Sequence, residues 1–284
     1  MATLNCPDKI FFSDTLREDY PEIYKELAAI LSRHNIAAGI LEGTYDYWCR
    51  DYMPVQVSRG EFVQFKYHPD YLKNQRRYET PTRVSAELAR EITGATVKVS
   101  SLIADGGNFT FAGIWNEEGF TPVVIITEKI FAENSGVAKE NVTEELRALF
   151  PGYKLLFLPW DREDICGHTD GIVRYLGNNR LLVNLNVYPD DIAATMRERL
   201  ESCFELVDLE LDFYDDDSWA YMNMIQTESV IIVPGLGLPS DAQVLNQIKR
   251  LFPDYEDRVY QVPMSSVIKK YGGALNCLSW TFVD

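Results

Sequence analysis

The chain has 284 residues, with 27 basic against 43 acidic side chains and a formal net charge of −16. Hydrophobic residues make up 46% of it and aromatic residues 12%, which indicates a globular protein with a substantial core and excludes a disordered or fibrous one. The acidic excess argues against binding to duplex nucleic acid or to an anionic membrane surface, because both require a basic face. A small cationic partner fits this charge better, although much of such a charge serves only to keep a protein soluble.

The N-terminal segment and the cysteines favour a cytoplasmic location. Residues 1–10 have neither the basic region nor the long apolar region of a signal peptide, and no apolar run approaches the ~18 residues that cross a bilayer. The cysteines are odd in number and widely scattered, which is typical of a reducing compartment rather than of a disulfide framework. They are Cys6, Cys49, Cys166, Cys203 and Cys277.

Helical periodicity recurs along the whole chain. Apolar residues at three- and four-residue spacing predict helices over 16–34, 82–93, 142–150, 190–203 and 241–252. Ser13 and Asp14 are candidate N-caps of the first helix. Gly94 is expected to end the second, and prolines follow the third and the fifth.

Short apolar runs between these helices predict β-strands over 53–57, 62–67, 123–127, 155–158, 172–175, 181–185 and 230–233. Gly177, Asn178 and Asn179 accept positive φ and predict a hairpin between two of the strands. The order helix, strand, polar loop, strand, strand then repeats, which indicates internal repetition despite negligible identity between the units. The alternative is a generic α/β domain with unrelated loops. No linker divides the chain, so a single domain over 1–284 is expected.

The polar loops that follow the strand after each helix contain most of the reactive side chains. These loops are 45–51, 104–108, 166–171, 215–219 and 272–277. Repeats arranged around an axis would bring together a thiol, an imidazole and several carboxylates. A thiolate is a nucleophile, and an imidazole held by a carboxylate transfers protons. Two further carboxylates facing one cavity suit a guanidinium, whose paired N–H groups match them.

Each of these residues also has a purely structural interpretation. A strand would place His168 and Asp170 on one face, which favours a functional pair over an isolated structural histidine. Asp105 could belong to a simple turn, and Cys277 could be a small core residue. Asp51 could form a surface ion pair with its neighbour in sequence, although a nearby tryptophan indicates burial.

Two patterns resemble metal sites. Cys166, His168 and Asp170 would offer a thiolate, an imidazole and a carboxylate to zinc, but no second ligand pair has the usual spacing. The acidic run 212–217 lacks the glycine and the terminal glutamate of a calcium loop, which favours a solvated or substrate-facing loop. We therefore expect no metal and no organic cofactor.

Six motifs, in the same order and spanning nearly the whole chain, resemble those of the guanidine-modifying pentein enzymes. The most similar branch is that of the agmatine deiminases and bacterial peptidyl-arginine deiminases. The motifs are WCRDYMP at 48–54, DGGN at 105–108, GHTD at 167–170, AYMN at 220–223, IIVP at 231–234 and GGALNC at 272–277. This resemblance implies a five-bladed α/β propeller with pseudo-fivefold repeats around a central active site.

The resemblance also implies residue roles. It assigns the nucleophile to Cys277, the general acid/base to His168 and the carboxylate that orients the histidine to Asp105. Asp51 and Asp170 would hold the guanidinium. Further candidate contacts to the substrate, in or beside the same loops, are Trp48, Asp215, Asp216, Asp217 and Trp219.

The chain departs from the family at three positions. Asp105 stands where agmatine deiminases usually have glutamate and is one methylene shorter. Met53 replaces a glycine, and Asn276 replaces the histidine before the nucleophile. The chain is also shorter than typical agmatine deiminases. These differences preserve the reaction class but leave the substrate open.

The expected reaction is hydrolytic deimination of a small, agmatine-like guanidino compound through a covalent thiouronium, with agmatine itself implying putrescine biosynthesis. The loop 215–219 is acidic and has no arginine, which favours a substrate tail that bears an amine or is neutral. The alternatives are deimination of arginine or peptidyl-arginine, amidino transfer, and guanidine binding without catalysis. Binding alone does not require Cys277. No nucleic-acid or membrane partner is expected, and a homodimer is left open.

Overall fold

The structure, a computed structural model, describes residues 7–284, and in this range the chain forms fifteen β-strands and nine α-helices. The strands are β1 Lys9–Ser13, β2 Ala38–Leu41, β3 Val55–Ser58, β4 Glu61–Lys66, β5 Thr96–Ile103, β6 Thr110–Asn116, β7 Gly119–Thr127, β8 Lys154–Leu158, β9 Val173–Gly177, β10 Arg180–Val183, β11 Glu205–Asp208, β12 Ile225–Gln226, β13 Ile231–Gly235, β14 Val259–Pro263 and β15 Ser279–Phe282. The helices are α1 Asp14–Asp19, α2 Pro21–Arg33, α3 Cys49–Tyr52, α4 Thr82–Thr93, α5 Lys129–Glu133, α6 Lys139–Leu149, α7 Asp190–Glu201, α8 Ser240–Leu251 and α9 Ser265–Tyr271. None of the helices within 7–284 is both long and apolar enough to cross a membrane.

The described strands form five sheets of three strands each, and all five have the same topology. Two strands pair antiparallel, and the second of them pairs parallel with a third. One or two helices connect the parallel strands, as parallel pairing requires. Four sheets are consecutive in the chain, whereas the fifth pairs the C-terminal strand β15 with β1 and β2. The predicted internal repetition is confirmed.

The described residues fall into two compact units. The first contains the described residues as far as Arg50 together with Leu209–Asp284, and it holds the sheets β15-β1-β2 and β12-β13-β14. The second is Asp51–Asp208 and holds the other three sheets. The expectation of one domain over 1–284 stays a prediction, and Cys6 lies outside the described residues.

The predicted helices occur at their predicted places, with one difference. α4 ends where expected, at Gly94, which has a φ of 64°. The first predicted helix is divided into α1 and α2, because Pro21 cannot donate a backbone hydrogen bond and keeps Tyr20 out of the helical region, at a φ of −129°. Ser13 caps α1 by accepting a hydrogen bond from the Thr15 N–H at 3.0 Å.

All seven predicted strands are present, with shifted bounds. The hairpin between β9 and β10 turns at Asn178 and Asn179, whose φ angles of 49° and 59° are those that a tight turn of this hand requires. In the second unit the strands bury apolar side chains against α6 and α7 in two clusters. This packing fixes the sheets and leaves the connections between successive sheets to carry polar side chains.

Candidate active site

The predicted site residues lie in or next to the connections that lead from the last strand of one sheet to the first strand of the next. These connections are topologically equivalent in the five sheets. Asp51 lies in α3, Asp105 immediately precedes a 3-10 turn at Gly106–Asn108, and His168 precedes another at Thr169–Gly171. The second unit contains all three of these residues. The first unit contains Trp48, Asp215, Asp216, Asp217, Trp219 and Cys277.

His168 lies between two buried carboxylates. Its Nε2 is 3.2 Å from Asp105 Oδ2, and its Nδ1 is 3.6 Å from Asp51 Oδ1. The three side chains are only 7%, 1% and 4% exposed, respectively. Although Asp105 is shorter than the expected glutamate, its carboxylate therefore reaches the imidazole directly, at hydrogen-bond distance.

Gly107 allows this close arrangement. Its N–H donates to Asp51 Oδ1 at 3.0 Å. A Cβ atom at this position would lie 2.7 Å from His168 Nδ1 and 2.8 Å from Asp51 Oδ1, closer than non-bonded atoms pack. The backbone of the DGGN motif can therefore approach both side chains only because residue 107 is glycine.

The prediction that His168 and Asp170 share one face of a strand is wrong. Thr169–Gly171 form a 3-10 turn, and β9 begins only at Val173. The tight turn is favoured by backbone closure, with the Ile172 N–H donating to the Thr169 carbonyl at 3.0 Å. Asp170 is nevertheless buried, and its charge acts on Asp51.

The charges of this cluster shift the pKa values of its members. Burial lowers the pKa of His168, but the charges of Asp51 and Asp105 outweigh it and raise that pKa to about 9. Burial raises the pKa of Asp51 to about 6; Asp105 and Asp170 act in the same direction, and the charge of His168 opposes them. Between these two values His168 is an imidazolium and Asp51 a carboxylate.

A buried ion pair lies beside the cluster. Lys129 Nζ is 2.9 Å from Glu133 Oε1 within α5, and the two side chains are 1% and 6% exposed. Burial lowers the pKa of Lys129, but Glu133 and Asp105 more than offset this and raise it above its usual value. Burial and the charge of Asp105 raise the pKa of Glu133 to about 7 against the opposing charge of Lys129. The ammonium therefore belongs to the same electrostatic cluster as Asp105.

The alternative zinc set does not match the structure. His168 contacts two carboxylates that were not in that set, and burial raises the pKa of Cys166 well above its usual value. In the part of the chain that the structure describes, no group of three or more His, Cys, Asp or Glu side chains is arranged to hold a metal ion.

In the first unit, Cys277 is buried and held by its backbone. Its N–H donates to Asn223 Oδ1 at 3.1 Å, and its carbonyl accepts from the Arg50 N–H at 3.1 Å. The Asn276 N–H donates to the Asn223 carbonyl at 3.0 Å. Asn223, from the AYMN motif, thereby fixes the loop that carries the thiol.

The interpretation of Asp51 as a surface residue is wrong. Asp51 is buried and belongs to the His168 cluster. The Arg50 guanidinium donates to Thr281 Oγ1 at 2.7 Å and to Asn276 Oδ1 at 3.3 Å. Through these two hydrogen bonds Arg50 stabilises the segment around Cys277.

Trp48 is buried against Gly273 of the last loop. A Cβ atom on Gly273 would lie 2.2 Å from Trp48 Cζ3, so the indole needs glycine there. Tyr47 and Tyr271 pack edge to face with the indole, at ring-centroid distances of 6.0 and 6.5 Å. These contacts hold the Trp48 indole in place.

In the acidic loop 215–219, one carboxylate is hydrogen-bonded within the loop itself. Asp215 Oδ1 accepts a hydrogen bond from Ser218 Oγ at 2.9 Å. Asp216 is exposed, whereas Asp217 and Trp219 are half-buried. Burial and the charge of Asp215 raise the pKa of Asp217. Asp216 and Asp217 therefore remain the better placed to meet a ligand from solution.

The amino-acid sequence matches a known protein family. Residues 17–282 match the Porphyromonas-type peptidyl-arginine deiminases. The chain belongs to this family. No curated protein is similar enough in sequence to count as a relative.

Solved structures of two agmatine deiminases and of an amidinotransferase share the fold of this chain. The agmatine deiminase of C. jejuni has 17% identity and a TM-score of 0.75, covering 100% of this chain and 95% of that one. The agmatine deiminase of Enterococcus faecalis has 18% identity and a TM-score of 0.71, covering 98% and 94%. An amidinotransferase from Microseira wollei has 11% identity and a TM-score of 0.59, covering 99% and 95%. The predicted fold class, a five-bladed α/β propeller of the pentein type, is confirmed, and the chain is a homologue of deiminases, which are hydrolases of C–N bonds.

In this deiminase homologue, sequence reasoning missed several residues that shape the cluster and the thiol loop. Asn223 stands in the AYMN motif, for which the sequence predicts no role. Lys129 and Glu133 gave no signal, since charged residues in a short helix normally indicate a solvated face. Tyr71, whose hydroxyl contacts Asp51, is one of 16 tyrosines and follows no recognisable pattern.

Proposed function

We propose that the protein hydrolyses a small, agmatine-like guanidino compound to a ureido product and ammonia. The observation that carries this proposal is a buried histidine held among an excess of buried acidic side chains. Four carboxylates share the second unit's cluster with two cations: Asp51, Asp105, Asp170 and Glu133, with His168 and Lys129. Buried charge of one sign is costly unless it is paired, and a guanidinium would pair it with two parallel N–H groups per carboxylate.

In the first half-reaction, the Cys277 thiolate attacks the guanidinium carbon and forms a C–S bond. A C–N bond then breaks, and the His168 imidazolium gives its proton to the departing ammonia. The product on the enzyme is a thiouronium. Because His168 is already protonated at neutral pH, the thiol proton goes to solvent, and the positive charge of the substrate favours the thiolate.

In the second half-reaction, water attacks the thiouronium carbon. The now neutral imidazole takes one proton from this water, and the C–S bond breaks and restores the thiolate. The remaining hydroxyl proton leaves through solvent, where the released ammonia takes up one proton. The sum is one guanidinium and one water giving one ureido product and one ammonium ion. Asp105 holds the ring through Nε2 and supports its charged form in both halves.

We also propose contacts to the substrate tail, a cellular location and a metabolic role. The substrate tail would contact Trp48, Asp216, Asp217 and Trp219. The two carboxylates favour a tail that bears an amine. No metal or organic cofactor takes part in the proposed steps. We also keep the cytoplasmic location expected from the scattered cysteines, while a role in putrescine formation depends on agmatine being the substrate.

A substrate panel tests the proposal. The purified protein is incubated with agmatine, arginine, a peptidyl-arginine and simpler guanidines, and both ammonia and ureido product are measured. We expect turnover of an amine-tailed guanidine, its loss in Cys277→Ala, and its retention in Cys203→Ala, which removes a thiol that belongs to none of the six motifs. Turnover of none of the guanidines, or undiminished turnover by Cys277→Ala, would contradict the mechanism. Binding without turnover would indicate a non-catalytic relative, and amidino transfer to an added amine would indicate a transferase.

A further inference from the structure

We propose that Tyr71 is a positioning residue whose hydroxyl fixes the orientation of the Asp51 carboxylate for a cationic ligand. The proposal rests on the role of Asp51 in the proposed function. The Tyr71 hydroxyl donates to Asp51 Oδ2 at 2.8 Å. The other carboxylate oxygen, Oδ1, accepts from the Gly107 N–H at 3.0 Å and lies 3.6 Å from His168 Nδ1. Each oxygen of Asp51 therefore has its own donor, and the plane of the carboxylate is fixed.

Two neighbouring side chains anchor the segment that carries this tyrosine. Tyr71 lies in a 3-10 turn, Asp70–Leu72, in the connection between β4 and α4. Asp70 Oδ2 is 3.9 Å from the buried Lys129 ammonium, and Leu72 is buried. These two contacts restrain the turn that presents Tyr71 to Asp51.

A second tyrosine supports the first. The hydroxyl of the buried Tyr67 is 2.9 Å from that of Tyr71. Because the Tyr71 proton is engaged with Asp51, Tyr71 accepts the proton of Tyr67, and the chain of two hydroxyls polarises toward the carboxylate.

The hydroxyl matters because the rest of the environment opposes ionisation of Asp51. Burial, Asp105 and Asp170 disfavour the charged carboxylate, whereas His168 and Tyr71 favour it. The Cys166 thiol also lies within the field of the Asp51 carboxylate, which, after burial and Asp164, helps to raise the pKa of that thiol. Removing one donor frees the carboxylate to rotate and makes its ionised form less favourable, and only the ionised form binds a guanidinium bidentately.

The test compares three Tyr→Phe variants across pH, using the substrate that the panel identifies. The acid limb of kcat/KM reports ionisation of the free enzyme, which for Asp51 lies at about 6. We expect Tyr71→Phe to move this limb upward by about one pH unit and to raise KM more than it lowers kcat. Tyr67→Phe should move it less, and the exposed Tyr78→Phe, in the same connection, should leave it unchanged.

A readout without substrate separates this proposal from the proposed function. The protein has three histidines, and the His168 ring signal in NMR should register titration of Asp51 beside it. In Tyr71→Phe that inflection should move to higher pH even if no guanidine is turned over. An unchanged inflection together with an unchanged acid limb would overturn the positioning role. A loss of activity in Tyr71→Phe with no shift in either pH profile would overturn it as well, since it would indicate a merely structural role.

Discussion

Replacing His168 by asparagine is expected to lower kcat by about 10²- to 10⁴-fold, the usual contribution of a positioned proton donor and acceptor. Asparagine can still hydrogen-bond to a carboxylate but cannot transfer a proton at neutral pH. The wild-type rate should also fall as pH rises through about 9, where the imidazolium loses its proton. Steady-state kinetics across pH measure both effects.

His68→Asn is the matched control for this substitution. His68 belongs to the same unit, is exposed, and lies 3.1 Å from Glu79 rather than in the buried cluster. Its substitution should leave kcat and the alkaline limb unchanged. Wild-type rates in His168→Asn would remove His168 from the mechanism, and a 10²-fold loss in His68→Asn would show that the effect is not specific to the buried ring.

Replacing Lys129 by methionine is expected to lower the free energy of unfolding by about 3–5 kcal/mol, because it leaves Glu133 buried without its partner. The double variant Lys129→Met/Glu133→Leu should recover much of the loss, since it removes both charges. Lys129 lowers the pKa of Glu133, so in the single variant this pKa should rise above its wild-type value of about 7. The deficit of the single variant should therefore shrink as pH falls toward 7, because its buried carboxyl becomes neutral while that of the wild type is still ionised. Urea unfolding at several pH values measures these differences.

An exposed pair provides the comparison for the buried one. Lys25 and Glu22 are 2.9 Å apart on α2, and their side chains are 68% and 85% exposed. Lys25→Met should change the free energy of unfolding by less than about 1 kcal/mol. If Lys129→Met were as stable as the wild type, the buried pair would not contribute as the contacts indicate.

Local signals predicted the elements that depend on few residues. Gly94 ends α4 because it reaches a positive φ without strain, and Asn178 and Asn179 make a tight turn for a similar reason. The fivefold repetition of helices and strands was predictable because all five sheets contain the same antiparallel pair followed by a helix and a parallel strand. The break at Pro21 was also present in the sequence, but the long apolar periodicity on both sides of it concealed the break.

Long-range pairing and burial were not predictable in this way. β15 completes the sheet of β1 and β2, and a strand pairing between the two ends of a chain has no local signal. α4 buries Ala86 and Ala89, whereas the larger Val84 and Leu88 are only half-buried, because short side chains let the helix approach its sheet closely. The motifs marked His168 and Asp105, but which carboxylates contact the ring depends on three separate connections folding together.

The most direct measurement of covalent catalysis is mass spectrometry of the enzyme after rapid acid quench during turnover of a guanidine labelled at the guanidinium carbon. The mechanism predicts that the label is found on the peptide containing Cys277, that it disappears on chase with unlabelled substrate, and that it is absent from Cys277→Ala. Label on another residue, or product formation by Cys277→Ala, would contradict it.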